Sequence, residues 1–152
     1  MDTVRNILSA KGGEVVSVGP EATVLEALVL MSEKNVGAIM VLGTGGEVLG
    51  LFSERDFARK IILKGRSCEN TLVKEIMSTK IIYAQPDSSI DECMNLMTDR
   101  HFRHLPVKDG EKLVGVVSIG DIVKALLKQK ERIISEQAFE IGQNERKTSG
   151  AV

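Results

Sequence analysis

The sequence predicts an α+β protein made of two tandem β-α-β-β-α units that pack sheet to sheet with pseudo-twofold symmetry. The first observation is an internal repeat, because residues 15–24 and 81–90 share one pattern of β-branched, proline, acidic and hydroxyl residues. The second is that apolar residues recur at helical spacing directly after each of these segments. The third is a glycine-containing turn between two short apolar runs in each half, which is typical of a hairpin.

Each unit is predicted to open with a short strand and a capped helix. Two β-branched residues begin the segment in both halves, and Pro20 or Pro86 followed by an acid ends it, which indicates a strand closed by a proline turn. A hydroxyl and a carboxylate three residues apart come next, the pattern of a capping box at a helix N-terminus. The two pairs are Thr23 with Glu26 and Ser89 with Glu92.

One apolar stripe lies on each of the helices that follow. The spacing i, i+3, i+4, i+7 places four side chains on one face, and we interpret both stripes as core. They consist of Val24, Ala27, Leu28 and Met31 in the first copy and of Ile90, Cys93, Met94 and Met97 in the second.

A hairpin and a second helix complete each unit. Residues 38–41 and 104–107 are predicted buried strands, residues 43–46 and 108–110 are turns, and residues 48–52 and 113–117 are the partner strands. The second helices carry Phe57, Ile61 and Ile62 in one copy and Ile122, Leu126 and Leu127 in the other.

The repeat divides the chain into three segments. Residues 1–66 form a first domain with its lead-in, residues 67–128 a second domain, and residues 129–152 a helical extension that is predicted to be disordered over 142–150. The lead-ins 4–9 and 73–78 resemble each other, and residues 65–70 read as a linker. A sheet of three strands with two helices leaves one face uncovered, so we expect the units to stack around a cleft with two similar sites.

Composition excludes several functional classes. The net charge of -1 supplies no global field for nucleic acid, and one Tyr, four Phe and no Trp provide few surfaces for base stacking, so nucleic acid is not expected as a partner. No apolar run is long enough to span a membrane, and no secretory signal opens the chain, so we expect a cytoplasmic protein without membrane association. Cys93 falls in an apolar stripe and Cys68 in a polar stretch, without zinc or disulfide spacing.

The pattern Gly, two apolar residues, Ser, two variable residues, Asp occurs where the second strand of each unit meets its second helix. The first copy contains Gly50, Ser53 and Asp56, and the second contains Gly115, Ser118 and Asp121. Free amides and the positive dipole end of a helix favour an anion there, a serine can bond phosphate or ribose, and an aspartate can accept from two vicinal sugar hydroxyls. Ser-x-x-Asp is equally a plain N-terminal cap that needs no ligand.

With these motifs and residues 103–107 (Arg-His-Leu-Pro-Val), the chain resembles a tandem pair of cystathionine β-synthase (CBS) domains, a Bateman module, from about residue 4 to about residue 127. The resemblance implies a regulatory module that binds an adenosine-containing ligand: AMP, ADP, ATP, NAD(H) or S-adenosylmethionine. It also implies a homodimer, a regulated partner protein of unknown identity, and no requirement for metal.

The resemblance also implies roles for individual residues. Asp56 and Asp121 bind ribose, and Ser53 and Ser118 lie beside ribose and phosphate, together with Arg55, Arg103 and His104. Apolar strand residues form the adenine walls: Val16, Ala38, Ile39 and Met40 in one site, and Ile82, Leu105 and Pro106, with His104, in the other.

The two copies place positive charge differently. The first has Arg55 inside its motif but Gly37 and Ala38 at the start of its second strand. The second has Gly120 inside its motif but Arg103 and His104 at the start of the strand. We therefore expect inequivalent sites that bind phosphate with different strengths and share these groups across the cleft.

Two other classes remain to be weighed. An enzyme is not expected, because the chain has no P-loop lysine motif, no G-x-S-x-G and no defensible Cys-His or paired-carboxylate arrangement. His101 and His104 form H-x-x-H without further ligands, so a metal site is not expected; we interpret His101 as a helix end. The open alternative is a ligand-free interaction or dimerisation scaffold, which has no chemical need for acids at both motif positions.

Overall fold

Short strands alternate with helices in both halves of the chain. The structure is a computed structural model that describes the backbone of residues 2–150 and the side chains of residues 2–142. The first half contains α1 (Val4–Lys11), β1 (Ser17–Val18), α2 (Val24–Lys34), β2 (Ala38–Leu42), β3 (Val48–Ser53) and α3 (Glu54–Asp56), which continues as a π-helical segment (Phe57–Ile62). The second half contains α4 (Val73–Ile76), α5 (Ile90–Arg100), β4 (His104–Asp109), β5 (Lys112–Ser118) and α6 (Ile119–Gly150).

The two sheets differ by one strand. In the first unit β1 runs parallel to β2, and β2 runs antiparallel to β3. The second unit has only the antiparallel β4–β5 hairpin, and its counterpart of β1 is a single parallel bridge between Ala84 and Val107. The strand predicted to open the first repeat is confirmed, whereas the one predicted for the second is wrong apart from this bridge.

A proline in β4 accounts for the missing strand. In the first unit the amide of Met40 donates to the carbonyl of Val16 at 3.0 Å. The corresponding residue of the second repeat is Pro106, which has no amide hydrogen to donate. Only the bonds around Ala84 remain, from its amide to the Pro106 carbonyl at 2.9 Å and from the Lys108 amide to its carbonyl at 3.0 Å.

The helices α2 and α5 begin and pack as predicted. Both capping boxes are present, with the Thr23 and Ser89 hydroxyls accepting the amides three residues on at 3.1 and 3.0 Å. Three members of each predicted stripe are buried and the fourth, Leu28 or Met94, is partly buried. Burial raises the pKa of the Cys93 thiol to about 11, with the Glu92 carboxylate adding to the effect, so this cysteine is a core residue.

The second helices of the two repeats have different geometry. The first is one turn of α-helix followed by the π-helical segment, whereas the second is regular from Ile119 onward. Ile61 and Ile122 are buried, but Ile62 is 61% and Leu127 55% exposed, so those two are not core residues. The apolar stripe of each second helix is therefore narrower than the sequence suggests.

The lead-in helices are exchanged between the two halves. Val4 and Ile7 of α1 lie in the core of the second unit, while Val73 and Ile76 of α4 lie in the core of the first. The lead-in at the start of the chain therefore packs on the second unit and not on the residues that follow it. Because each core is completed by the other half, the two units stabilise each other.

The motif glycines receive the exchanged lead-ins. A Cβ on Gly115 would lie 2.6 Å from a Leu8 methyl carbon, and one on Gly50 would lie 2.5 Å from the Met77 sulfur. At Gly50 the Ser78 carbonyl oxygen is also only 3.0 Å away, so a side chain there would press on backbone. Gly50 is thus needed for packing against backbone independently of any ligand, whereas at Gly115 the Leu8 side chain would have to shift.

The last helix extends beyond the second unit. The sequence predicts disorder over residues 142–150, but the helix continues through Gly150. Residues 151–152 of the predicted flexible tail lie outside the described range. The exposed apolar side chains of the extension are Ile133, Ile134, Phe139 and Ile141. Among the described helices there is no membrane-spanning segment of sufficient length and hydrophobicity.

Candidate functional site

Two cavities lie between the two halves of the chain, and each contains one copy of the Ser-x-x-Asp motif. The larger, of about 500 Å³, contains Ser53 and Asp56 and is named the Asp56 cleft. The smaller, of about 350 Å³, contains Ser118 and Asp121 and is named the Asp121 cleft. His104 lines both clefts, so they are neighbours. Volumes of this size suit a small organic ligand.

Both motifs form reciprocal caps at a helix start. The Asp56 amide donates to the Ser53 hydroxyl at 3.2 Å, and the Ser53 amide donates to the Asp56 carboxylate at 3.1 Å. In the second copy the corresponding distances, between Ser118 and Asp121, are 3.1 and 2.8 Å. The capping interpretation of Ser-x-x-Asp is therefore confirmed in both repeats. A ligand can bind only to those acceptor positions of the serine and the carboxylate that the caps do not occupy.

Asp56 is 7% exposed, and both oxygens of its carboxylate are engaged. Its Oδ1 accepts from the Ser78 hydroxyl at 3.1 Å and lies 3.0 Å from the Lys60 ammonium. Its Oδ2 accepts from both the amide and the hydroxyl of Ser53. Because a carboxylate has about four acceptor positions, a further donor at Asp56 must displace one of these groups.

Asp121 is held by one cation and retains acceptor capacity. The Lys11 ammonium lies 2.8 Å from its Oδ2, and the same ammonium donates to the Val116 carbonyl at 2.9 Å. Within residues 2–142, Oδ2 takes every hydrogen bond to this carboxylate, so Oδ1 is available to a donor in the cleft. Lys11 comes from the exchanged helix α1, at the place where the other half supplies Ser78.

The charge of Asp121 is stabilised despite partial burial. Burial alone would raise the pKa of this carboxyl, but the Lys11 ammonium and the Ser118 amide favour the ionised form and hold the pKa below its ordinary value. Asp121 is therefore a carboxylate at neutral pH, which is the state that accepts hydroxyl hydrogens.

Each cleft combines the motif of one repeat with the strand residues of the other. The Asp56 cleft is lined by Ile82 and Pro106 from the second repeat, together with Arg103 and His104. The Asp121 cleft is lined by Val16, Ala38, Ile39 and Met40 from the first. Fourteen side chains were expected at the site, and only Leu105 lines neither cleft: it is buried in the core of the second unit.

Several charged and polar residues at the clefts are not evident from the motifs. Ser78 and Lys11 lie at the ends of the lead-ins, whose exchange brings them to the opposite motif. Lys60, four residues after Asp56, could have been found from helical spacing, because i and i+4 share a helix face. The other cleft-lining cations that the motifs do not include are Arg59, Lys80 and Arg100 in the Asp56 cleft and Lys34 in the Asp121 cleft.

His101 and His104 have different environments. His101 ends α5 in a left-handed conformation with a φ of 58°, as expected for a helix end, and its carbonyl accepts from the Arg55 guanidinium at 3.0 Å. His104 is half-buried between the clefts, and burial lowers the pKa of its imidazole. The Asp121 carboxylate acts in the opposite sense, and Lys11 and Arg103 reinforce the lowering. His104 is therefore neutral at pH 7.

We expect the free energy of unfolding to fall as the pH drops below about 6.5, the ordinary histidine pKa. The native state holds His104 below that value and so binds a proton less readily than the unfolded chain; its contribution is present above pH 6.5 and is lost as the pH falls through the native pKa. Denaturant titrations between pH 5 and pH 8 measure this. The dependence of the free energy of unfolding on pH should weaken in His104→Gln but not in the exposed control His101→Gln. An unchanged pH dependence in His104→Gln would contradict the lowered pKa of His104.

A third groove, between α1 and α6, is larger but lacks the motif serines. It measures about 790 Å³, and Lys11 and Asp121 line both this groove and the Asp121 cleft. Within the described part of the chain no three His, Cys, Asp or Glu side chains come together as a metal site would require. The H-x-x-H pair is thus two residues with separate environments.

The sequence matches one family twice. Residues 4–63 and 73–128 each match the CBS domain. A curated relative, the mitochondrial CBS domain-containing protein CBSX3 of Arabidopsis thaliana, is 37% identical over 133 residues, which cover 82% of this chain and 65% of that protein. A putative signal-transduction protein with CBS domains from Burkholderia ambifaria has a solved structure that is 46% identical, with a TM-score of 0.80 over 84% of this chain and 95% of that one.

Two further solved structures contain bound groups. The CBS domain pair of protein MJ0100 was solved with 5-methylthioadenosine and S-adenosyl-L-methionine; it is 21% identical with a TM-score of 0.73, covers 85% of this chain and 98% of that one, and supports the fold alone. Hypoxic Response Protein I, 28% identical with a TM-score of 0.67 over 81% of this chain and 98% of that one, was solved with two coordinated zinc ions.

Proposed function

The chain belongs to the CBS domain family as a tandem pair, and from this premise we propose that it senses an adenosine-containing ligand in the clefts and transmits their occupancy to a partner protein. CBS domain pairs are regulatory ligand-binding modules and are not generally enzymes. The observation that carries the proposal is the composition of the clefts. Each holds one motif carboxylate, one motif serine and apolar strand residues from the other repeat.

The residues of the Asp121 cleft fit an adenosine. The free Oδ1 of Asp121 can accept both hydroxyls of a ribose, because one carboxylate oxygen has two acceptor positions. Val16 and Ala38 are partly exposed in the same cavity, and their apolar side chains suit a flat aromatic base. Ligands of this chemical class include AMP, ADP, ATP, NAD(H) and S-adenosylmethionine.

At the Asp56 cleft the ribose takes the place of a protein donor. Its hydroxyls replace the Ser78 hydroxyl or the Lys60 ammonium on Oδ1 of Asp56. Ser78 follows α4 and its amide and carbonyl pair with Leu51 of β3, so this exchange acts on the junction between the two units. Occupancy can therefore change how the halves are joined, provided that the ligand binds one arrangement more tightly.

The transmitted signal needs an exposed surface. We expect the α6 extension to supply it, because its apolar side chains project beyond the second unit and lie exposed in a single chain. A homodimer mate or the regulated protein would cover these side chains. Small-angle scattering with and without saturating ligand would detect the change; identical curves would count against transmission.

The caps favour a second candidate, a ligand-free scaffold. Both motif carboxylates already accept from protein groups, so the fold is satisfied without a ligand. A thermal-shift screen with adenosine, the adenine nucleotides, NAD(H) and S-adenosylmethionine separates the two functions. A ligand at 100 times its Kd stabilises the native state by about 2.7 kcal/mol. We expect a shift with at least one compound, whereas no shift with any of them would favour the scaffold.

A further inference from the structure

Because each cleft combines the motif of one repeat with the strand of the other, the arginines that distinguish the two repeats lie in the same cleft. Arg55 belongs to the motif of the first repeat and Arg103 to the strand start of the second, yet both line the Asp56 cleft. The guanidinium of Arg55 donates to the carbonyl of His101, two residues before Arg103, which fixes it on that side. The residues at the corresponding places of the other cleft are Gly120 and Gly37. The charge differences between the repeats therefore add up and do not cancel.

The Asp56 cleft is strongly cationic. Its lining includes six basic and two acidic side chains, a net charge of +4 with the histidines neutral. Within residues 2–142, only Lys60 among the six is in an ion pair, with Asp56. The cations are Arg55, Arg59, Lys60, Lys80, Arg100 and Arg103.

The Asp121 cleft is electrically neutral. Two basic and two acidic side chains line it, and they form two ion pairs: Lys11 with Asp121 at 2.8 Å and Lys34 with Glu14 at 3.2 Å. Any anion that enters must compete with a carboxylate for each ammonium. Both clefts thus contain a motif aspartate, but among the described residues only the Asp56 cleft has unpaired cations that can bind phosphate.

A space lined mainly by cations adjoins the Asp56 cleft, whereas the groove between α1 and α6 beside Asp121 is lined by equal numbers of basic and acidic side chains. A depression of about 640 Å³ is lined by Arg55, Arg59 and Arg103, together with Phe102. Its one acidic side chain is Glu54, and the motif carboxylate Asp56 is not part of it. A phosphate chain lying there would meet guanidinium groups and avoid the repulsion of the ribose-binding acid.

We propose that the Asp56 cleft binds adenosine nucleotides through a di- or triphosphate chain, while the Asp121 cleft binds adenosyl ligands that carry no phosphate. This division rests on the proposed function, since it assigns a ligand class to each of the two sites. The protein then responds separately to the phosphorylated and the unphosphorylated members of one ligand family.

Calorimetric titration with adenosine, AMP, ADP and ATP tests the division. Affinity at one site should rise with the number of phosphates. Because a hydrogen bond to a charged group contributes about 1.5–3 kcal/mol, Arg55→Gln and Arg103→Gln should each weaken ATP binding about tenfold or more. Both variants should leave adenosine within about twofold. The control Arg66→Gln, an arginine paired with Glu75 and outside both clefts, should change neither.

A reciprocal variant tests the neutral cleft. Gly120 corresponds to Arg55, and a Cβ there would make only an ordinary contact with the Ser118 hydroxyl, at 3.6 Å. Gly120→Arg should therefore fold and strengthen ATP binding at the second site. The gain from phosphates should also shrink at high salt, since the cations are exposed.

Each outcome decides one point. If adenosine binds but added phosphates bring no gain, or if the arginine variants leave ATP binding intact, the division by charge is overturned and the proposed function stands. If neither adenosine nor any nucleotide binds, the proposed function fails as well. Inorganic tripolyphosphate binding as tightly as ATP, with the same arginine dependence, would replace the nucleotide by a free polyphosphate.

Discussion

Replacing Val73 by aspartate is expected to unfold the first unit, although Val73 lies in the second half of the chain. Its side chain is fully buried in the core formed by α2, β2, β3 and the π-helical segment. An unpaired carboxylate in such a place costs several kcal/mol, which is a large part of the 5–15 kcal/mol that stabilises a typical domain. We therefore expect Val73→Asp to lose most of its native population.

Hydrogen exchange shows which unit is affected. In a variant that retains some structure, protection should be lost first in β2 and β3 and only afterwards in β4 and β5. Val4→Asp should show the opposite order, because Val4 is buried in the second unit. Val29→Asp, the same replacement on the exposed face of α2, serves as the control and should remain folded. Equal protection of β2 and β3 in Val73→Asp and the native chain would refute the exchange of lead-ins.

Replacing either motif aspartate by alanine is expected to abolish tight binding at its own cleft. The change removes the acceptor for the ribose hydroxyls, and a hydrogen bond to a charged group contributes about 1.5–3 kcal/mol, so affinity should fall by about 10- to 100-fold. The bond from the serine amide to the carboxylate is lost as well, at a cost to stability of about 1 kcal/mol, while the serine hydroxyl still caps the helix. Calorimetry and thermal unfolding measure the two effects separately.

Asparagine and a distant aspartate provide the controls. Asp56→Asn keeps an acceptor for the Ser53 amide, so its stability should recover while its ligand affinity stays low. Asp99→Ala changes an exposed carboxylate at the end of α5 and should alter neither quantity. Full ligand affinity in both Asp56→Ala and Asp121→Ala would contradict a role in ribose binding and show that the two aspartates act only in capping their helices.

The repeat was sufficient to predict most of the fold. Capping pairs, apolar stripes and hairpin glycines act over a few residues, and they form the predicted elements at Thr23, Ser89 and Gly110. The sequence also contains the reason for the missing second opening strand, because Pro106 occupies the position where a backbone amide donor is needed. The π-helical geometry after Asp56 was not, since Phe57 and Ile61 have a spacing that suits an ordinary helix equally well.

The composition of the sites could be predicted only in part. The motif Ser and Asp residues follow from the repeat, whereas the strand residues at the cavities come from the resemblance to CBS domains. Which strand faces which motif depends on how the two units pack together, and an internal repeat contains no information about that packing. For the same reason the sequence does not predict Lys11 and Ser78 at the sites, because both reach a motif only through the exchange of α1 and α4.

Methyl NMR of the Asp56→Ala variant tests most directly whether each cleft combines the motif of one repeat with the strand of the other, which is the crossed arrangement. Ile82 lines the Asp56 cleft and Ala38 lines the Asp121 cleft, so each methyl signal reports one site. On titration with the ligand found by thermal shift, both methyls should respond in the native chain. In Asp56→Ala the response of Ile82 should disappear while that of Ala38 persists, because the motif acid of the first repeat serves the strand of the second. Loss of the Ala38 response with retention at Ile82 would contradict the crossed arrangement.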